Sequence, residues 1–210
     1  MKGSGTGRMN LAVNHLVAAS GFSRIVGDIE ERHKGEEFGS FYDDILSNSI
    51  ATVYCSVASV EAYINEVLLF DKRLMAQNLR DCARALIGKT RIPDKYAGCL
   101  RLLQCKSLAR GKRPCQDVHV LILLRNALTH FIPEWESQQN AHAALSRKLR
   151  AKIHPPSPFC SRSAPLFPQA WATHACTLWA VNSSKSFMIE FEKLAQLPHR
   201  MQMFESRLQG

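Results

Sequence analysis

Apolar residues along this chain recur mainly at helical spacing. Sustained alternation at every second position is lacking, and no Asn-Gly or Asp-Gly pair is available to close a hairpin. Apolar residues three, four and seven positions apart predict amphipathic helices that bury one face. The sequence therefore predicts an all-α fold, an up-and-down helical bundle with short connections.

The apolar pattern divides the chain into segments separated by short breaks. The predicted helices span residues 11–33, 41–70, 71–87, 93–108, 117–132, 137–153 and 169–197. Residues 154–168 hold five prolines, which predicts one long Pro-rich loop. We therefore expect a single helical domain over 11–197, a flexible N-terminus over 1–10 and a C-terminal tail over 198–210.

The segment 41–70 carries the strongest helical pattern. Small residues lie beside its apolar stripe and would allow a neighbouring helix to approach closely. The stripe consists of Ile45, Ile50, Val53, Val57, Val60, Ile64, Val67 and Leu68. This segment is predicted to be the central helix of the bundle.

The positive net charge of the chain favours a negatively charged partner. A formal net charge of +9 favours polyanions, and nucleic acid is the first candidate. The best candidates for contacting RNA phosphates lie in the basic loop before the motif helix and near the end of the sixth predicted helix, and they are Lys112, Arg113, Arg147, Lys148, Arg150 and Lys152. The alternative is that these residues form a solvated basic surface.

Cysteine usage and hydropathy bear on the cellular location. The seven cysteines are odd in number and have no CxxC spacing, which favours a reducing cytoplasm over a disulfide framework. No Cys and His set has the spacing of zinc ligands, so neither a metal nor a cofactor is predicted. We also find no signal peptide and no apolar run long enough to span a membrane, and we expect a cytoplasmic protein without membrane contact.

The segment 117–135, DVHVLILLRNALTHFIPEW, contains the most distinctive polar cluster of the chain. An apolar helical run delivers Arg125, Asn126 and His130 before Pro133 ends it, and Asp117 is the expected N-cap. Residues four apart on a helix lie about 40° apart, and residues five apart lie about 140° apart. Asn126 and His130 therefore share a face, and the long Arg125 side chain flanks it.

These three side chains are the groups that RNA cleavage needs when no metal takes part. The 2′-hydroxyl of RNA attacks the neighbouring phosphate, a histidine moves the proton, and a guanidinium holds the extra negative charge. His130 lies in the last helical turn, where the helix dipole favours the imidazolium form. Asn126 would orient either the histidine or the phosphate. Glu61 on the central helix is a candidate to orient Arg125 through a charge-assisted hydrogen bond.

The motif Arg125-Asn126-x-x-x-His130, preceded by an apolar helix in a basic chain, resembles the HEPN superfamily of nucleotide-binding domains of higher eukaryotes and prokaryotes. The signature of that superfamily is Arg, a polar residue that is often Asn, and a His after four to six intervening residues. The segment 49–67, SIATVYCSVASVEAYINEV, is similar to the long central helix of such domains. The resemblance extends over about residues 10–195.

The resemblance implies a helical bundle that forms a homodimer, in which two Arg–His pairs line one cleft. It also implies metal-independent endoribonuclease activity, in a toxin–antitoxin, abortive-infection or other antiviral role. Carried over to this chain, Arg125 and His130 are catalytic and Asn126 supports them. Ile132 stands where many members have a Tyr that accepts a nucleotide, so the resemblance does not carry over regulation by nucleotide transfer.

Two other functions stay open at this point. A non-catalytic module of the same fold would bind RNA or a protein partner, such as an antitoxin or regulatory protein, through its basic face. A purely structural bundle would use Arg125 and His130 to satisfy one another at an interface. Substitution of the motif separates these from the enzyme, because only the enzyme loses cleavage while the fold and the binding persist.

Overall fold

The computed structural model describes residues 11–75, 77–88, 90–134, 140–198 and 200. The predicted flexible N-terminus, and all of the predicted tail except 198 and 200, lie outside these residues. The regular secondary structure of the described residues is helical and includes no strand. The helices are α1 (Leu11–Arg32), α2 (Phe41–Phe70), α3 (Gln77–Ile87), α4 (Ile92–Leu102), α5 (Cys115–Thr129), α6 (Asn140–Arg150) and α7 (His174–Ala195). The all-α prediction is confirmed.

Helix α2 packs against α1, α3, α4, α5 and α7. Small hydroxyl residues on α2 make this close packing possible, because their side chains satisfy backbone carbonyls of the neighbours and of α2 itself. Ser59 donates to the carbonyl of Ala12 on α1 at 2.7 Å. Tyr96 on α4 donates to the carbonyl of Val60 at 2.7 Å. The apolar stripe predicted for this segment is thus the core surface of the bundle.

Several helices begin or end at residues other than those predicted, because turns and side-chain caps set their ends. Residue 71 does not begin a helix, since the backbone N–H groups of Leu74 and Met75 bond to the Asp71 carbonyl in a turn. Helix α4 ends at Leu102, two residues before Gln104 adopts a left-handed φ of 54°. Helix α7 begins after Thr173, whose side chain accepts the N–H of Cys176 at 3.0 Å.

The start of α5 also differs from the prediction. The helix begins at Cys115, with Pro114 at the cap position, so the assignment of Asp117 as N-cap is wrong. Asp117 lies in the first turn and forms ion pairs with Lys152 and with Arg113. A carboxylate at that position is favourable near the helix N-terminus, and its pairing with Lys152 ties the start of α5 to the end of α6.

Helix α2 is long and apolar enough to span a membrane by length and composition alone. The expectation that no segment of the chain meets these criteria is therefore wrong. Half of the qualifying window is buried inside the fold, against the neighbouring helices described above. The core helix of a soluble protein satisfies the same criteria, so this finding is weak as an indication of a membrane.

Candidate active site on helix α5

The three motif residues lie at the C-terminal end of α5. His130 is the residue that ends the helix, with φ −115° and ψ 47°, and its backbone N–H bonds to the carbonyl of Asn126 at 2.9 Å. The side chains of His130 and Asn126 are exposed. The apolar residues of α5 anchor the helix in the core, with Leu121 and Leu124 completely buried. A rigid, buried helix therefore presents an exposed imidazole at its end.

The His130 ring lines a groove of about 390 Å³ between α5 and α6. The α5 side of the groove consists of residues spaced three or four apart, which share one helix face. These residues are Leu123, Ala127 and His130. The α6 side consists of Ala141, His142, Ala144, Leu145 and Lys148. Ile132 and Glu134, from the segment that follows α5, complete the lining. The groove thus combines an apolar floor with two imidazoles, one lysine and one carboxylate.

Arg125 lies on the opposite flank of the exposed side of α5. Its side chain is half-buried, and its buried Nε has no hydrogen-bond partner among the described residues. Thr129, one turn further along, bonds to the carbonyl of Arg125 at 2.8 Å and contacts the hydroxyl of Tyr54 on α2. Arg125 therefore faces the α2 side of α5, and it is not among the residues that line the groove of His130.

Asn126 lies in the exposed strip between Arg125 and His130. Helical geometry places it about 100° from Arg125 and about 40° from His130. The structure thus places an exposed amide and an exposed imidazole at the end of α5, with the half-buried guanidinium about 140° around the helix from the imidazole. This arrangement can stabilise negative charge and move protons.

Of the basic residues predicted to bind RNA near the end of the sixth predicted helix, Arg147, Lys148 and Arg150 lie on α6, and Lys152 lies just after its end. Lys148 lines the His130 groove and also a second groove of about 370 Å³, which extends to Lys152 and Arg110. Lys152 is largely buried and paired with Asp117. Arg147 and Arg150 are exposed and line neither groove. The positive charge next to the candidate site therefore comes from Lys148 first.

Three residues at the site were not singled out from the sequence. His142 and Glu134 line the groove with His130, and Tyr54 contacts the α5 end. Glu134 and His142 are eight positions apart across a break between helices, so no helical spacing connects them. Their pairing results from a backbone interaction: both Glu134 oxygens accept N–H groups at the start of α6. No periodic pattern indicates such a contact.

The role suggested for Glu61 is wrong. Its carboxylate bonds to the ammonium of Lys95 on α4 at 2.8 Å, and Asn65 accepts a second hydrogen bond from the same group. Lys95 is 2% exposed, so its charge requires these partners. Glu61 therefore fastens α4 to α2 rather than orienting Arg125.

Comparison of the chain with protein-family models, with curated proteins and with solved structures finds no match. The function is therefore inferred from the residues of the chain itself.

Proposed function

We propose that this protein is a metal-independent endoribonuclease that cleaves RNA by attack of the 2′-hydroxyl. The observation that carries the proposal is the succession of Arg125, Asn126 and His130 at the end of α5, where the last two are exposed. The buried Arg125 Nε has no hydrogen-bond partner among the described residues, which is unusual for a group placed only for packing. A guanidinium carries its donors in a planar fork, which is suited to a phosphate that gains negative charge.

The reaction needs two proton transfers and stabilisation of one charge. The 2′-oxygen forms a bond to phosphorus as its proton leaves, and the bond between phosphorus and the 5′-oxygen breaks as that oxygen gains a proton. The products are a 2′,3′-cyclic phosphate and a 5′-hydroxyl. Arg125 stabilises the charge on the non-bridging oxygens, His130 moves a proton as general acid–base, and Asn126 positions them.

The grooves on the α6 side support RNA as the substrate. Lys148 lines the groove of His130 and also the neighbouring groove, where Lys152 and Arg110 are paired with Asp117 and Asp94. The ammonium of Lys148 attracts a phosphate next to the scissile linkage. The formal net charge of +9 acts in the same direction.

The HEPN resemblance extends the proposal beyond a single chain. We propose a cytoplasmic homodimer in which two Arg125–His130 pairs meet at one cleft, acting as a toxin or antiviral-defence effector. An antitoxin or regulatory protein is the corresponding partner. The exposed strip that includes Asn126 and Thr129 lies next to the exposed Tyr54 of α2, and this surface is accessible to a second copy.

The direct test is incubation of the purified protein with RNA in excess EDTA, beside the variants Arg125→Ala and His130→Ala. The proposal predicts fragments that end in 2′,3′-cyclic phosphate with the wild-type protein and none with either variant. Melting curves of the variants should match the wild type, which shows that the fold is retained. Intact RNA in every lane, with RNA still bound by all three proteins, would instead identify a non-catalytic binding module.

A further inference from the structure

We propose that His142, oriented by Glu134, is a second catalytic residue of this reaction. His142 would accept the proton of the attacking 2′-hydroxyl, and His130 would protonate the departing 5′-oxygen. This inference rests on the proposed function and assigns the two proton transfers to two separate side chains.

Both imidazoles line the same groove. His130 comes from the end of α5, and His142 from the first turn of α6, with Lys148 on the same wall. In an in-line displacement the attacking and leaving oxygens lie on opposite sides of the phosphorus. One imidazole cannot reach both oxygens in a single step, so a concerted reaction uses two groups. The described part of this groove supplies a second histidine for that purpose.

The surroundings of His142 resemble those of a catalytic histidine rather than those of a surface residue. Its side chain is 10% exposed, and its Nδ1 lies 3.6 Å from Oε2 of Glu134. The ring stacks on Phe131, with centroids 5.4 Å apart and planes 16° apart, and packs edge-on against Phe167 at 5.1 Å. The ring is thus restrained on both sides while it still lines the groove.

The carboxylate of Glu134 is itself fixed. Its Oε1 accepts the N–H of Ala141 at 3.3 Å, and its Oε2 accepts the N–H of His142 at 3.2 Å. A carboxylate beside Nδ1 favours the neutral tautomer with the proton on Nδ1, which leaves the Nε2 lone pair to accept a proton. The same negative charge stabilises the imidazolium that results. At 3.6 Å the two atoms are farther apart than in a hydrogen bond, and hydrogen bonds of catalytic groups are often long without substrate and shorten when it binds.

A purely structural explanation exists for Glu134, because its two backbone hydrogen bonds cap the start of α6. The substitution Glu134→Gln distinguishes the two roles. Glutamine keeps one of the two oxygens that accept backbone N–H groups, so the variant loses the negative charge and one of the two capping hydrogen bonds. A capping role alone therefore predicts a lower melting temperature with normal cleavage below that temperature, whereas an orienting role predicts slower cleavage at temperatures where the variant is fully folded.

The experiment compares two oligonucleotides that carry one ribonucleotide each in a DNA strand. In one, the scissile linkage has its natural 5′-oxygen, and in the other sulfur replaces that oxygen. A thiolate leaves without needing a proton, so the sulfur substrate bypasses the general acid but not the general base. Single-turnover rates are measured for the wild type, His130→Ala, His142→Gln and Glu134→Gln. The matched control is His33→Gln, because His33 forms a similar pair with Glu36 at 3.0 Å, outside the groove.

We expect His142→Gln to slow cleavage of both substrates by about 100-fold or more. His130→Ala should not cleave the oxygen substrate, but it should cleave the sulfur substrate at a rate close to that of the wild type. Glu134→Gln should slow both substrates less than His142→Gln does, and His33→Gln should match the wild type.

Near wild-type cleavage by His142→Gln, or its rescue by sulfur, would overturn the assignment of His142 as the base. Wild-type cleavage by Glu134→Gln would overturn the orienting role. A wild-type protein that cleaves neither substrate would instead overturn the proposed function, and the assignment of His142 with it.

Discussion

The hydroxyl of Tyr54 on α2 and the hydroxyl of Thr129 on α5 lie 2.9 Å apart. Thr129 also contacts the carbonyl of Arg125 at 2.8 Å, so the pair joins the central helix to the backbone of the candidate catalytic arginine. The contact lies at an exposed part of the surface, where a hydrogen bond contributes little to stability. We therefore expect this contact to fix the position of the C-terminal end of α5 rather than to stabilise the fold.

Removal of the Tyr54 hydroxyl should lower activity more than stability. Tyr54→Phe is expected to reduce the single-turnover cleavage rate several-fold while the free energy of unfolding changes by less than about 1.5 kcal/mol. Thr129→Val should have the same effect, and Thr129→Ser, which keeps the hydroxyl, is the matched control. If Thr129→Val and Thr129→Ser cleave at the same rate, the contact has no positioning role.

Substitution of Arg125 should abolish cleavage without destabilising the fold. Loss of a charge-stabilising donor lowers cleavage rates by about 100-fold or more, and we expect this for Arg125→Ala. Arg125→Lys keeps the charge but loses the planar fork of donors, so most of the activity should also be lost. The buried Nε has no hydrogen-bond partner among the described residues, so neither change breaks a hydrogen bond of that atom. A large fall in melting temperature with either variant would indicate a structural role instead.

Lys148 should contribute to RNA binding more than Arg147 does. Lys148 lines both grooves beside His130, whereas its exposed neighbour Arg147 lines neither. Each phosphate contact on single-stranded RNA contributes a slope of about −0.7 to the dependence of log K on log salt concentration. Lys148→Ala should therefore make that slope shallower by about 0.7, and Arg147→Ala should leave it unchanged. Titration at several salt concentrations with the non-cleaving His130→Ala background measures both. Equal slopes for the two variants would contradict this placement of the RNA.

The Asp71–Arg73 pair should make the free energy of unfolding depend on pH. Burial acts to raise the pKa of Asp71, but hydrogen bonds from Arg73 outweigh it and hold that pKa below its ordinary range. A depressed folded-state pKa stabilises the fold above the unfolded-state value of about 3.9, and this contribution is lost as pH falls through the folded-state pKa.

Arg73 also donates to the carbonyl of Ala195 at the end of α7, at 2.9 Å. We therefore expect Arg73→Ala to lower the free energy of unfolding at pH 7 by about 1–3 kcal/mol. The difference from the wild type should shrink in denaturant titrations as pH falls below about 4. A difference that stays constant from pH 7 to pH 3 would show that Asp71 does not carry the effect.

The bundle and the motif helix could be predicted because both depend on local patterns. The stripe of α2 is a regular repeat, and its predicted bounds agree with the observed helix Phe41–Phe70. The grouping of Arg125, Asn126 and His130 follows from positions along a single helix. Predictions of this kind need no knowledge of which helices are neighbours.

The contacts between helices could not be predicted in this way. Glu61 is paired with Lys95, 34 positions along the chain, because α4 packs beside α2. Asp117 is paired with Lys152 rather than serving as a cap, because the end of α6 lies beside the start of α5. The same packing brings His142 into the groove of His130. Each of these pairs depends on long-range packing, which a single sequence does not reveal without knowledge of the topology.

His130 is proposed to transfer a proton in the cleavage of RNA by its own 2′-hydroxyl group. The most direct test of this role uses a DNA oligonucleotide that contains one ribonucleotide, incubated in excess EDTA with the wild type and with His130→Ala. We expect the wild type to cut once, on the 3′ side of the ribonucleotide, and to leave a 2′,3′-cyclic phosphate end. We expect no cut by His130→Ala. Three results would contradict this role of His130: cleavage of a matched oligonucleotide made only of DNA, fragments with a 3′-hydroxyl end, or equal cleavage by His130→Ala.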